Sequence, residues 1–560
     1  MPRIGAFLRE SLEQLGREIR EETEALRRHG PDQLRLWALA AMVGVISALA
    51  ALAFRFAISW TQRQIYGSDD VHLASLARGL PWPIVLLAPI LGGLVVGLLL
   101  HALTRDGRPH TPADLIAAAE LEGARLPVRE GIASILASWI TLSTGGSSGR
   151  EGPVVHFSGV IATILADLFR LDAARARILL GAAAAAAVAA SFNAPLAGAI
   201  FAHEVVLRHY AIRGFGPVAI AAVIGAVASR LVFGEFTEFV LPGAPVLGFY
   251  VELPAFLILG LVVAIAATAF MRGIFWADDL GNRLQEGFGF PRWLRPALAG
   301  AVLGLLALGF PHVIGVGYET TARALTGALP FRVAVIYALV KAVAVAVTLG
   351  GRMGGGVFSP SLMLGALTGL AFGEAATAIL PFWSGNVTLY ALAGMGAFAA
   401  AVLGAPISSA LIVFELTGDW QTGLAVLLTV ATASALSSRL VERSFFLTLL
   451  ERKGIHIAAG PHAWILAALR VQDLMRPLDD PENPDRDVLW KLVEYGIHAT
   501  ARSSLETVMP IFERSGALHV PVVRLGGEGE APEIVGVLHK VDALSRYNAA
   551  LAEKSAEEHG

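Results

Sequence analysis

The residues most able to do chemistry are Arg150 and Glu151, a charged pair inside Gly146-Ser147-Ser148-Gly149-Arg150-Glu151-Gly152-Pro153. Long apolar segments flank this stretch on both sides. Ionisable residues at membrane depth are costly to bury and mark ion or substrate pathways. The glycines leave backbone N–H groups unobstructed, and Pro153 suits the first turn of a helix that follows. That helix, predicted over 154–165, is largely apolar. Its positive end faces the Glu151 region, a geometry suited to holding an anion. Glu151 supplies that anion itself when nothing else is bound.

The elements that position this pair are membrane spans. Crossing a bilayer takes about 20 apolar residues. Residues 36–54 and 79–104 carry no formal charge, and 253–271 and 296–318 are similar. Other apolar stretches are shorter and broken by Gly and Pro, among them 132–148, 178–201, 362–372 and 389–414. Such breaks are tolerated at membrane depth only where protein or a watery cavity covers the backbone. Broken segments in both halves of a chain point to a transport site near the midplane. Composition agrees: 55% of residues are hydrophobic and 16% charged, against about 25% charged in soluble domains. The net charge of −3 gives no reason to expect a nucleic-acid partner, and without cysteine there is no disulfide framework. Residues 1–34 are dense in Arg and Glu, with Ile4, Leu8, Leu12, Leu15 and Ile19 at helical spacing. They predict an amphipathic helix on the membrane or the protein body, not a signal peptide.

The chain repeats itself. Ala194-Pro195-x-x-x-Ala199-x-x-x-x-Glu204 recurs 211 positions later as Ala405-Pro406-x-x-x-Ala410-x-x-x-x-Glu415. Pro153 and Pro360, which open two apolar helices, are 207 apart. Gly354-Gly355-Gly356-Val357-Phe358-Ser359 before Pro360 is again glycine-rich. Each half therefore contributes a glycine loop and a helix N-terminus, and together they aim positive ends at one point.

Gly149-Arg150-Glu151-Gly152-Pro153 and Gly356-Val357-Phe358-Ser359-Pro360 resemble two signature loops of the CLC chloride channel and anion/proton exchanger family. Phe192-Asn193-Ala194-Pro195-Leu196-Ala197-Gly198 and Glu415-Leu416-Thr417-Gly418 are similar to further stretches of that family. The likeness spans about 35–455. It implies an all-α polytopic membrane fold of broken helices in two inverted repeats, about 35–235 and 250–455. It also implies a homodimer with one anion pathway per subunit, in a bacterial plasma membrane, with both termini cytoplasmic. By resemblance, chloride or a related anion is the ligand and Glu151 is the gate. Ionised, its carboxylate competes for the anion site; protonated or displaced, it opens the path. Backbone N–H groups around Gly149, Arg150, Gly152, Gly356, Val357 and Phe358 are the anion donors, since a dehydrated anion must regain donors. The Arg150 side chain is expected to satisfy carbonyls or tune the potential.

The departures from the family pattern matter as much. Arg108-Pro109-His110-Thr111-Pro112 stands where the first signature loop belongs, so Pro109 replaces the serine that touches the central anion. Proline lacks an N–H. Pro109 resembles the residue of plant nitrate/proton exchangers, which leaves nitrate open beside chloride. The central tyrosine falls at Phe446. Losing both hydroxyls weakens central binding by about 1.5–3 kcal/mol per donor, unless His110 or Thr111 substitutes. Exchangers of the family load protons on a second glutamate, and Val205 occupies that position. The expectation is channel-like conduction, with proton-coupled antiport as the alternative. Glu204 and its repeat partner Glu415 read as structural, while His203 beside Glu204 offers a possible proton relay.

After a linker at 456–470 the composition turns polar. Residues 471–548 resemble a CBS module, a cytoplasmic α/β unit, with its first motif truncated at 471–494. Asp542 stands where such modules hold an adenosine nucleotide, but His539 replaces the hydroxyl residue. A structural clamp is favoured over a nucleotide sensor. Residues 549–560 read as a disordered tail.

A reading of another class treats Gly146-Ser147-Ser148-Gly149 as the Gly-x-Ser-Gly of an intramembrane serine protease, with Ser148 activated by His203 or His209. It explains neither the repeat nor the Glu151 and Pro360 loops. No catalytic or metal-ligating set, and no cofactor, is expected.

Overall fold

The computed structural model describes residues 2–69, 72–120, 123–208, 212–234, 252–379, 381, 386–455, 465–466, 469–501, 503–524 and 533–559. The chain divides into two compact units, one of Met1–Ile116, Ala124–Tyr210 and Gly214–Thr448, the other mainly Leu449–Gly560.

The first half of the membrane unit runs α1 (Pro2–Tyr66), α2 (Leu73–Ala77), α3 (Trp82–Leu103), α4 (Pro112–Glu120), α5 (Val128–Ser143), α6 (Glu151–Leu168), α7 (Ala173–Phe192), α8 (Pro195–Phe201) and α9 (Ile212–Phe233). The second half runs α10 (Leu253–Phe288), α11 (Arg295–Gly309), α12 (Tyr318–Leu325), α13 (Phe331–Gly350), α14 (Phe358–Ile379), α15 (Val387–Leu403), α16 (Pro406–Thr417), α17 (Trp420–Leu440) and α18 (Phe445–Arg452). Eight helices among the described residues are long and apolar enough to cross a membrane. The expected helix at 1–34 is continuous with the first span, because α1 runs unbroken from Pro2.

Helices α3–α9 correspond in order to α11–α17. The caps repeat as well. Asp172 and Asn386 accept backbone N–H groups at the starts of α7 and α15. Asn193 (φ 55°) and Gly404 (φ 69°) end the same helices in the left-handed region. Pro195 and Pro406 then open α8 and α16. Both α7 and α15 are apolar on every side and buried almost throughout, as helices enclosed by others must be.

Repeat-related elements meet in pairs. Helices α3 and α11 pack so closely that a Cβ on Gly304 would lie 2.6 Å from the Leu86 carbonyl. Small residues at helix interfaces permit this approach. The Glu415 carboxylate accepts from the N–H groups of Leu196 (2.9 Å) and Ala197 (2.8 Å) at the start of α8. The Glu204 carboxylate accepts from those of Ile407 and Ser408 (2.9 Å each) at the start of α16, and from Ser408 Oγ (2.8 Å). Each repeat caps the other's helix.

The second unit has its own core, including Val471, Leu505, Phe512, Val520 and Leu538. Its sheet has the order β1 (Ala499–Thr500), β2 (His519–Arg524), β3 (Glu533–His539). The β1–β2 pair is parallel and β2–β3 antiparallel. Helices α19 (Arg486–Glu494), α20 (Leu505–Ser515) and α21 (Lys540–His559) complete it. The tail expected to be disordered from 549 instead continues α21 to His559. Of the 456–470 linker, all but 465–466 and 469–470 lie outside the described residues.

Candidate anion site

The two glycine loops pair directly. Gly149 and Gly356 exchange backbone hydrogen bonds of 2.7 and 2.8 Å, forming an antiparallel bridge between the repeats. Gly355 (φ 133°) takes a backbone conformation that a side chain would strain, and the Ser148 side chain fills the space beside it. Ser148 Oγ donates to the Gly354 carbonyl at 3.3 Å. It is thus built into the loop contact and is not placed as a nucleophile. His203 stacks on Phe215 with ring centroids 5.8 Å apart, and His209 lies outside the described residues.

Three helix N-termini converge at this bridge. A Cβ on Gly152 would lie 3.2 Å from Gly356 Cα and 3.5 Å from Pro112 Cδ, so the α4 and α6 starts meet the second loop. A Cβ on Gly149 would lie 2.9 Å from Glu151 Oε2, 3.1 Å from Ser359 N and 3.1 Å from Pro360 Cδ at the start of α14. Tyr318, the first residue of α12, reaches in with its side chain and donates its hydroxyl to Glu151 Oε1 at 2.9 Å. The first N–H groups of any helix have no intrahelical partner and carry its positive dipole end. Glu151, with no solvent exposure, sets a carboxylate where these ends meet. Its Oε2 is buried without a hydrogen-bond partner. The arrangement holds one negative charge and can exchange a carboxylate for a small anion.

Arg150 is not a close partner of that carboxylate. Its Nε lies 3.8 Å from Glu151 Oε1, while its guanidinium sits 4.7 Å over the Tyr318 ring. Arg150 and Tyr318 also line a cavity of about 660 Å³ with Arg55, Trp60, Arg63 and Trp139. Asp69, also in the wall, pairs with Arg63 at 2.7 Å, so the lining keeps a net positive charge. Val357 and Phe358 are buried at the α14 start, and the Phe358 ring packs on Phe192 at 4.8 Å and Phe201 at 5.9 Å.

The first loop is fixed differently from what the sequence suggested. His110 and Thr111 both make protein contacts, while His110 Nδ1 has no hydrogen-bond partner. His110 N–H donates to Ser134 Oγ (2.7 Å), and its Nε2 lies 3.2 Å from Glu130 Oε2. Thr111 donates its N–H and hydroxyl to Asp114 Oδ2, capping α4. Pro109 is half-buried in this loop, and Phe446 is buried edge-on to Phe445 at 5.9 Å. Val205 is buried in a π-helical turn, Ala202–Leu207, that also carries His203 and Glu204.

The sequence reading missed Tyr318 and its support. Buried Lys341 on α13 donates to the carbonyls of Val313 (3.3 Å) and Gly315 (2.9 Å), holding the loop that presents Tyr318. The signal was available. The spacing of 207 that relates Pro153 to Pro360 also carries Thr111 onto Tyr318 and Ser134 onto Lys341. Ser134 fixes the loop before α4 just as Lys341 fixes the loop before α12.

Residues 92–438 match the model of the voltage gated chloride channel family. The chain belongs to this family, the CLC proteins. It is an integral membrane protein. It is 31% identical over 399 residues to a putative ClcB-like chloride channel protein of Ralstonia nicotianae, covering 70% of this chain and 92% of the relative. It is 32% identical over 438 residues to an H(+)/Cl(-) exchange transporter, ClcA, of Cronobacter sakazakii, covering 75% and 90%. Among solved structures, a slow cyanobacterial Cl⁻/H⁺ antiporter superposes with a TM-score of 0.65 at 23% identity, covering 75% of this chain and 98% of that one. A eukaryotic CLC transporter superposes at 0.63 and 19% identity, covering 91% and 98%. These likenesses establish the helical CLC fold, with a small mixed sheet after the membrane part of this CLC protein.

In the second unit, Asp542 is held by Arg476 through two hydrogen bonds, Nε–Oδ2 at 2.6 Å and Nη2–Oδ1 at 3.0 Å. Arg476 also pairs with Glu482. His539 Nε2 meets Asn483 Oδ1 at 2.8 Å. The side chains considered for a nucleotide are thus satisfied by protein partners.

Proposed function

We propose that this CLC protein moves chloride, or a related small anion, along a pathway gated by Glu151. The observation that carries the reading is the buried Glu151 carboxylate at the meeting of the α4, α6 and α14 N-termini, with the Tyr318 hydroxyl on one oxygen. In the closed state the carboxylate occupies the place of the anion. Protonation or displacement removes its charge from the positive helix ends, and an anion replaces it. Gly149, Gly152, Gly356, Val357 and Phe358 supply the backbone donors.

Conduction is uncoupled in this reading, because Val205 cannot carry a proton where an exchanger needs a carboxylate. Pro109 and Phe446 leave the central site short of two hydroxyls, so the anion is held loosely there. The protein works as a homodimer in a bacterial plasma membrane with both termini cytoplasmic. The C-terminal unit acts as a CBS-like structural clamp; the Arg476–Asp542 pair supports this over nucleotide binding.

The test is chloride efflux from loaded liposomes, recorded with external pH, with and without a potassium ionophore. Efflux that needs the ionophore and moves no protons supports the channel reading. Proton uptake in fixed ratio to chloride replaces it with antiport, the activity printed for the Cronobacter sakazakii relative.

A further inference from the structure

We propose that Glu130 and His110 form a proton-binding dyad that feeds the gate through His156. The inference rests on the Glu151 reading above and adds the route by which the gate is protonated.

The dyad is built as a proton acceptor. His110 Nε2 faces Glu130 Oε2 at 3.2 Å, and its main chain is anchored by Ser134 Oγ. A protonated Glu130 donates to one ring nitrogen, Nε2, so the neutral imidazole carries its own proton on the other. That other nitrogen, Nδ1, is buried without a hydrogen-bond partner. The next ring is His156 on α6, edge-on to His110 with centroids 5.6 Å apart. Helix α6 is the helix that starts at Glu151.

The charged surroundings of His110 come from several elements. Glu130 on α5 also faces Arg105 (3.9 Å), which is 97% exposed and marks where the dyad meets water. Arg108, two residues before His110, turns to Asp278 on α10 at 3.6 Å. Asp114 on α4 is occupied by Thr111. His156 is the titratable neighbour on the inner side.

The transfer moves one proton per step and no electrons. Glu130, protonated from water, gives its proton to His110 Nε2 as Nδ1 releases one towards His156. His156 passes a proton on towards Glu151, whose Oε2 is the open acceptor. The last span is five residues along α6, about 7.5 Å of rise, and a bridging water completes it. The route serves the gate without a carboxylate at 205, and external pH stepped between about 8 and 5 reads it out.

The experiment is chloride flux in liposomes of the full-length protein over that pH range, for wild type, H110Q, E130Q, E151Q and the H110Q/E151Q pair. Flux in the wild type is expected to rise as pH falls, and in E151Q to be high and flat. H110Q and E130Q are each expected to reduce the pH-dependent rise about tenfold or more, the scale of a lost proton-transfer group. The effect of H110Q is expected to vanish in the E151Q background, which shows a folded pore and action through the gate. A wild-type pH profile in H110Q and E130Q, with E151Q flat, overturns the dyad and leaves the gate standing. A pH-dependent E151Q overturns the gate itself. Should H110Q fail to fold, E130Q decides: an unchanged profile counts against the dyad.

Discussion

The Tyr318 hydroxyl donates to Glu151 Oε1 across 2.9 Å, so the first residue of α12 in one repeat holds the first residue of α6 in the other. This bond favours the ionised carboxylate, the form that blocks the anion site. Y318F removes one donor to a charged group, about 1.5–3 kcal/mol. The closed state should lose that stabilisation, shifting the gating equilibrium about tenfold or more towards open. Flux at a fixed pH should rise. An unchanged flux–pH curve in liposomes would mean that Tyr318 does not restrain the gate.

Glu204 and Glu415 cap each other's repeat, and their removal should cost stability before it costs conduction. E204A leaves the Ile407 and Ser408 N–H groups and the Ser408 hydroxyl without their carboxylate, a loss of about 1–3 kcal/mol. E204Q keeps an acceptor and should lose less. Thermal unfolding in detergent should order the three as wild type, E204Q, E204A. Equal melting of E204A and wild type would contradict the capping role.

Much of this was legible before the structure. The repeat of Ala-Pro with a glutamate nine residues later marked both caps, because a residue type at a fixed offset in two halves points to one structural task. The Gly149 and Gly356 loops were legible because glycine in an apolar setting exposes backbone donors. Tyr318 was marked only by the 207-residue offset that carries Thr111 onto it, and its role depends on α12 meeting α6 across 167 residues. The partners of His110 and Thr111, namely Ser134, Glu130 and Asp114, were not legible from the loop itself because they lie further along the chain. The tail after 548 looked disordered from its charge, yet the helix seeded at Lys540 continues through it.

The central site should tighten when its hydroxyls are restored. P109S with F446Y should gain about 1.5–3 kcal/mol per donor that reaches the anion, an increase in chloride affinity of about tenfold or more. Calorimetric titration checks this. No change in affinity would remove Pro109 and Phe446 from the pathway.

The C-terminal unit should loosen in acid in two stages. Burial, with the Arg476 charge adding to it, pushes the His539 imidazole below its ordinary range. The fold therefore favours neutral His539. The unfolded chain takes up the proton first as pH falls below about 6.5, so stability present above that pH declines. Arg476, hydrogen-bonded to Asp542, holds that carboxyl below its usual range. The pair's contribution is complete above the unfolded value, about 3.9, and is lost as pH falls through the lower folded value. Hydrogen-exchange protection factors of β3 and α21 in the full chain, with the intrinsic pH dependence of amide exchange divided out, should fall first near pH 6 and again below about pH 4. In R476A the second stage should vanish. Protection factors independent of pH would contradict both assignments.

The most direct test of the Glu151 gate is chloride efflux from liposomes carrying wild type or E151A, with external pH stepped from about 8 to 5. The account predicts flux that rises on acidification in the wild type, and flux that is high and indifferent to pH in E151A. A pH response that survives in E151A would contradict it.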